Sequence, residues 1–130
     1  MNSKELDGLK VGDRVGMVRF GSWGMADHAF GTITKITPKT RRFTVAYEHR
    51  PEATKVFDKN GDEPGKRYHG MNLIAATDLQ ERLDAVQRRR DANKRADALL
   101  EEIKKHKTGM GDYQFDEEAR GKLLALVAQL

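Results

Sequence analysis

Between residues 11 and 47 the chain reads VGDRVGMVRFGSWGMADHAFGTITKITPKTRRFTVAY, in which short β-branched and apolar runs are separated by a glycine-bracketed stretch and a turn at Pro38. This stretch constrains the fold most, because a period near two over four to eight residues builds strands and is poorly suited to a helix. The clearest strand is Arg42–Tyr47: Phe43, Val45 and Tyr47 face one way, Arg42, Thr44 and Ala46 the other. A preceding strand spans Phe30–Thr37, where Ile33 and Ile36 are three apart. That spacing breaks strict alternation and predicts a bulge near Thr34–Lys35. The first strand is expected over Asp13–Phe20, with Val15 and Met17 on one face and Val18 and Phe20 on the other. Residues 21–29, GSWGMADHA, read as a loop carrying Trp23, the single tryptophan, between Gly21 and Gly24. Trp23 either folds back as a lid over the core or stays exposed to stack on a base or anchor a partner.

Further along, residues 55–58 form a short strand, Lys59-Asn60-Gly61-Asp62 a turn with a strong hairpin signal, and Arg67–Leu73 a closing strand. Residues 1–10 read as a polar, frayed segment tacked down by Leu6 and Leu9. At Thr77 the period changes. Thr77 and Gln80 have capping-box spacing, and Leu79, Leu83, Val86 and then Ala96, Leu99, Leu100 and Ile103 recur at helical intervals, predicting a long helix to about His106. Its middle, QRRRDANKR, has only Ala92 as an apolar residue, so it is solvated, broken, or a bridge between packed ends. Residues 107–114 read as a loop, and Asp116–Gln129 as a second helix led by Asp116, Glu117 and Glu118. The fold class expected is therefore α+β: a small antiparallel β-barrel over 1–76, then a helical hairpin over 77–130.

The opening strands resemble the SH3-like barrels, the group that includes KOW and Tudor-like domains. The resemblance is carried by Gly12-Asp13-Arg14-Val15, by Gly31-Thr32-Ile33-Thr34-Lys35-Ile36, and by the Phe43–Tyr47 run. The Phe57-Asp58-Lys59-Asn60-Gly61 hairpin leading into helices is similar to an arrangement in small bacteriophage proteins. The resemblance implies a barrel fold and a habit of binding nucleic acid or protein. It implies a phage origin, with the host cytoplasm as the setting.

Composition narrows the function classes. There is no cysteine, which removes disulfides, thiolate metal sites and a cysteine nucleophile and suits a reducing compartment. No apolar run reaches the roughly 20 residues of a membrane span, and the N-terminal MNSKELDGLK lacks an apolar signal core, so a cytoplasmic location is expected. Neither Ser3 nor Ser22 sits in a nucleophile-elbow setting, no phosphate loop ends in Gly-Lys-Ser/Thr, and the four histidines are not at ligand spacing. Asp58, Asn60 and Asp62 match the start of a calcium loop, but Gly61 occupies the fourth position and His69 the twelfth. No enzyme activity, metal or cofactor is expected.

Charge points to binding. Residues 1–76 hold 13 Lys+Arg against 9 Asp+Glu, a surplus of four, whereas 77–130 hold 11 of each. Lys35, Lys39, Arg41 and Arg42 crowd one strand–turn–strand corner, with Arg14 and Arg19 on the neighbouring strand and Trp23 and Tyr47 as aromatic companions. Cations beside aromatics suit DNA or RNA, although a solvated hairpin tip has the same composition. Arg88, Arg89, Arg90, Lys94 and Arg95 form a second basic run, which either tracks phosphates or pairs with Asp84, Asp91 and Asp97. The alternative partner is a protein. Leu99, Ile103, Leu123, Leu124 and Val127 exceed what a small hairpin buries, so they suit docking on a host enzyme or defence complex, or pairing with a second copy as a homodimer.

Overall fold

The computed structural model describes residues 1–66, 69–109 and 111–130. Its elements are α1 (Ser3–Asp7), β1 (Arg14–Gly21), β2 (Gly24–Ile36), β3 (Phe43–Tyr47), β4 (Thr54–Phe57), β5 (Asn72–Ala75), α2 (Ala76–Lys104), β6 (Lys107–Thr108), β7 (Asp112–Tyr113) and α3 (Glu117–Ala128). The fold is mixed α+β, an antiparallel five-stranded sheet followed by a long helix and a C-terminal helix. The chain divides into two compact units, Met1–Arg82 and Leu83–Leu130.

In the first unit the strand order is β4-β3-β2-β1-β5, and the sheet is not closed into a barrel as the sequence pattern predicts. What stands in for closure is a short seam. Leu73 N–H donates to Gly61 O at 2.8 Å and Glu63 N–H to Met71 O at 3.1 Å, with a single bridge between Asp62 and Asn72. The last strand is correspondingly shorter than expected. It begins at Asn72, and the Arg67 and Tyr68 part of the expected strand lies outside the described residues.

One sheet face buries Val15, Met17, Ile33, Phe43, Val45, Phe57 and Leu73 together with Met71 and Leu6. Leu6 enters this cluster because residues 3–7 form α1, capped by the Asn2 side chain on the Glu5 N–H at 2.9 Å, where the sequence suggests a frayed segment. Glycine at position 31 is required by close approach: a Cβ there would meet Ala46 O at 2.7 Å and Met17 Cε at 2.9 Å, besides Val45 Cγ1. The opposite face is covered over β1 by the first turns of α2. Leu79 is fully buried, and a Cβ on Gly16 would fall 2.9 Å from the Leu79 Cβ. That is why Val15 to Val18 are all buried despite pointing alternately to the two faces. The helix follows β5 without a break, so Thr77 lies inside it instead of capping it.

The bulge expected in β2 is present, as a register shift between Ile33 and Lys35 against β3. The loop expected over residues 21–29 is not. β1 and β2 pair through to Gly21 opposite Gly24, leaving Ser22 and Trp23 as the turn, with Gly24 at φ +108°. β5 pairs with β1 only over Val15–Val18 and β3 with β2 only over Gly31–Ile36. The rest of this hairpin is therefore a two-stranded ribbon with no third strand beside it among the described residues.

In the second unit α2 runs unbroken through its polar middle. The residues there, mainly Arg, Ala, Gln and Lys, are strong helix formers, so propensity carries the segment where packing does not. Between the helices, β6 and β7 form a two-residue ladder where the sequence reads as loop. α3 starts at Asp116, whose carboxylate caps the Ala119 N–H at 2.8 Å. Ala119 is buried, while Leu99, Ile103, Phe115, Leu123 and Leu126 are only half-buried.

Candidate nucleic-acid interface

The basic corner is built by the β2–β3 turn. Thr37 and Arg42 bond backbone to backbone at 3.0 Å, Arg41 N–H reaches Thr37 O at 2.9 Å, and Arg42 N–H reaches the Thr37 hydroxyl at 2.9 Å. The Thr37 and Thr40 hydroxyls bond each other at 2.6 Å. This cross-bonded turn holds the Lys39 side chain outward, with Lys35 and Arg42 exposed on the flanking chains.

The six cations suggested by sequence do not share one role. Arg41, at φ +51°, sends its guanidinium back to α1, donating to Leu6 O at 2.9 Å and Asp7 O at 3.3 Å. It terminates α1 electrostatically, as a cation at a helix C-terminus does. Arg14 is clasped by Glu48 through two hydrogen bonds, one of them at 3.0 Å, and lies 3.9 Å over the Phe30 ring. The Arg14 hydrogen bond holds the Glu48 carboxyl below its ordinary range, and the same bond raises the guanidinium. Arg19, Lys35, Lys39 and Arg42 have no ion-pair partner among the described residues.

The aromatic companions lie elsewhere. Trp23 is fully exposed, at 102% of its reference area, so it is not a lid on the core. It sits at the far end of β2 from Lys35. With 13 residues in that strand, the two ends are roughly 40 Å apart along the chain. Arg19, opposite Asp27, belongs to the Trp23 end, as does Phe20, which packs under the Arg82 guanidinium at 5.2 Å. Tyr47 stands at the other end of β3 from the corner, its hydroxyl 3.9 Å from Met71 Sδ and its ring edge-on to His49. The corner therefore gathers Lys35, Lys39 and Arg42 as free charges without an aromatic platform.

Two further surfaces are apparent. The Arg88, Arg89, Arg90, Lys94 and Arg95 side chains are exposed, and none makes an ion pair among the described residues. Asp91 accepts the Gln87 amide at 3.0 Å. On α3, Leu124 and Val127 are 70% and 50% exposed, whereas Leu99, Ile103 and Leu123 are half-buried. Among the described residues no grouping of three or more His, Asp or Glu is placed to hold a metal ion. Among the same residues no helix is long and apolar enough to cross a membrane.

No protein-family model matches this sequence, no curated protein matches it, and no solved structure matches its fold.

Proposed function

We propose that this is a non-enzymatic binding protein whose sheet unit contacts nucleic acid through Lys35, Lys39 and Arg42. The observation that carries the reading is that these three side chains are exposed on a cross-bonded turn and unpaired, while Arg14 and Arg41 nearby are engaged within the unit. Free cations release the counterions of a polyanion without first breaking a protein ion pair. The SH3-like likeness of the sequence at Gly12-Asp13-Arg14-Val15 supports the same reading, although Gly31 lies inside β2 and the sheet is open. A phage-encoded protein at work in a host cytoplasm belongs to this proposal, on the strength of the hairpin resemblance alone.

The test is binding of the full chain to labelled duplex DNA, single-stranded DNA and RNA. Reversal of the corner by Lys35→Glu, Lys39→Glu and Arg42→Glu is expected to weaken binding on the order of 100-fold at low salt. Unchanged affinity would refute the corner as the site. The second reading, a protein partner docked on α3, is favoured by the exposure of Leu124 and Val127. It predicts partner capture that survives the corner reversal and is lost in Leu124→Glu/Val127→Glu.

A further inference from the structure

We infer that the middle of α2, residues 87–95, is a second nucleic-acid contact that lies in the major groove of duplex DNA. The inference rests on the nucleic-acid reading above for its class of partner, but on a different surface. Within QRRRDANKR five cations face one acid, a local surplus of 5 − 1 = 4, equal to the formal charge of the entire chain. The helix is continuous here, the cationic side chains are all exposed, and none is consumed by an ion pair among the described residues.

The arrangement around the axis decides the partner. At about 100° per residue, Ala85, Arg89, Ala92 and Asn93 fall within one sector about 100° wide. Arg88 and Arg95 border it on one side and Arg90 on the other, while Lys94 joins Asp84, Gln87 and Asp91 on the back. A helix resting on a flat anionic surface needs cations on one face only. A helix inside a groove has phosphates on both flanks and base edges beneath, and this segment has cations on both flanks. Its leading face is small except for Arg89 and Asn93, the residue types that pair bidentately with guanine and adenine edges. All four residues of that face are exposed, and the open stretch ends at Ala96, which is half-buried. Helix diameter, about 10–12 Å, matches the B-form major groove of about 12 Å. The A-form major groove of duplex RNA is too narrow to admit it.

The experiment compares wild type with Arg88→Ala/Arg90→Ala/Arg95→Ala and with the corner reversal, on duplex DNA and duplex RNA of one sequence, over a salt series. Far-UV circular dichroism confirms that α2 persists, as expected when exposed residues become alanine. The helix variant is expected to lose duplex-DNA affinity on the order of 100-fold and to flatten the logarithmic salt slope by about 2–3, three phosphate contacts at about 0.9 each. Duplex RNA is expected to be little affected. If wild type binds and only the corner reversal weakens it, the inference is overturned and the corner reading stands. Equal losses on DNA and RNA overturn the groove assignment. No binding by wild type to either duplex at low salt overturns this inference.

Discussion

At residue 63 one carboxylate serves three donors: the Met71 N–H at 3.0 Å, the Lys55 ammonium at 3.0 Å and the Lys66 ammonium at 3.2 Å. Burial pushes the Glu63 carboxyl up, but those donors together outweigh it and hold it below its ordinary range. A carboxyl lowered in the folded state stabilises fully above its unfolded value, and that contribution fades as pH falls through the folded value. Glu63→Gln is therefore expected to cost about 1–2 kcal/mol at neutral pH. The gap from wild type should close as acid titrates the wild-type carboxylate, read as thermal midpoint against pH. A gap that stays constant into acid would contradict the assignment. The sequence does not disclose this cluster. Lys55, Glu63 and Met71 are eight residues apart in turn and meet only because β4 and β5 flank the same seam. Arg14 and Glu48, and Arg41 and Leu6, are likewise partners across more than thirty residues. That separation is why sequence reading counts Arg14 and Arg41 as free charge.

At the scale of elements, legibility follows burial. β3 is readable because Phe43 and Val45 alternate into the core, and the β2 bulge because Ile33 and Ile36 both serve packing from a slipped register. The β1–β2 ribbon is hidden because both its faces meet solvent past Val18, so no apolar alternation is written into Ser22–His28. The two-residue strands β6 and β7 are too short to carry a period. The ribbon also makes a prediction about Trp23, the lone tryptophan. Its native emission should lie close to that of the unfolded chain, and Trp23→Ala should shift stability by no more than about 0.5 kcal/mol. A blue-shifted native emission would mean the indole is covered. The long helix shows the converse case. Its polar middle leaves continuity undecided by pattern, and the propensity of Arg, Ala, Gln and Lys resolves it as one helix.

Across the molecule, the charge is better described by availability than by count. By sequence, the surplus of four falls in residues 1–76 and the remainder balances. In the structure, cations of the first unit divide between those engaged in its own architecture and those left outward, while 77–130 conceals a concentrated basic segment behind acids placed elsewhere. The fold class, β3 and the presence of two helical segments are legible from period, whereas the open sheet is not. The division of cations into free and engaged is not, because it depends on long-range partners. The central claim is that the free cations bind a polyanion. Its most direct test is the affinity of the full wild-type chain for a labelled DNA duplex, followed by anisotropy as salt rises from low to physiological. The account predicts tight binding at low salt and a logarithmic slope of about −4 or steeper, several phosphates neutralised at once. A flat slope, or no binding at low salt, would contradict it.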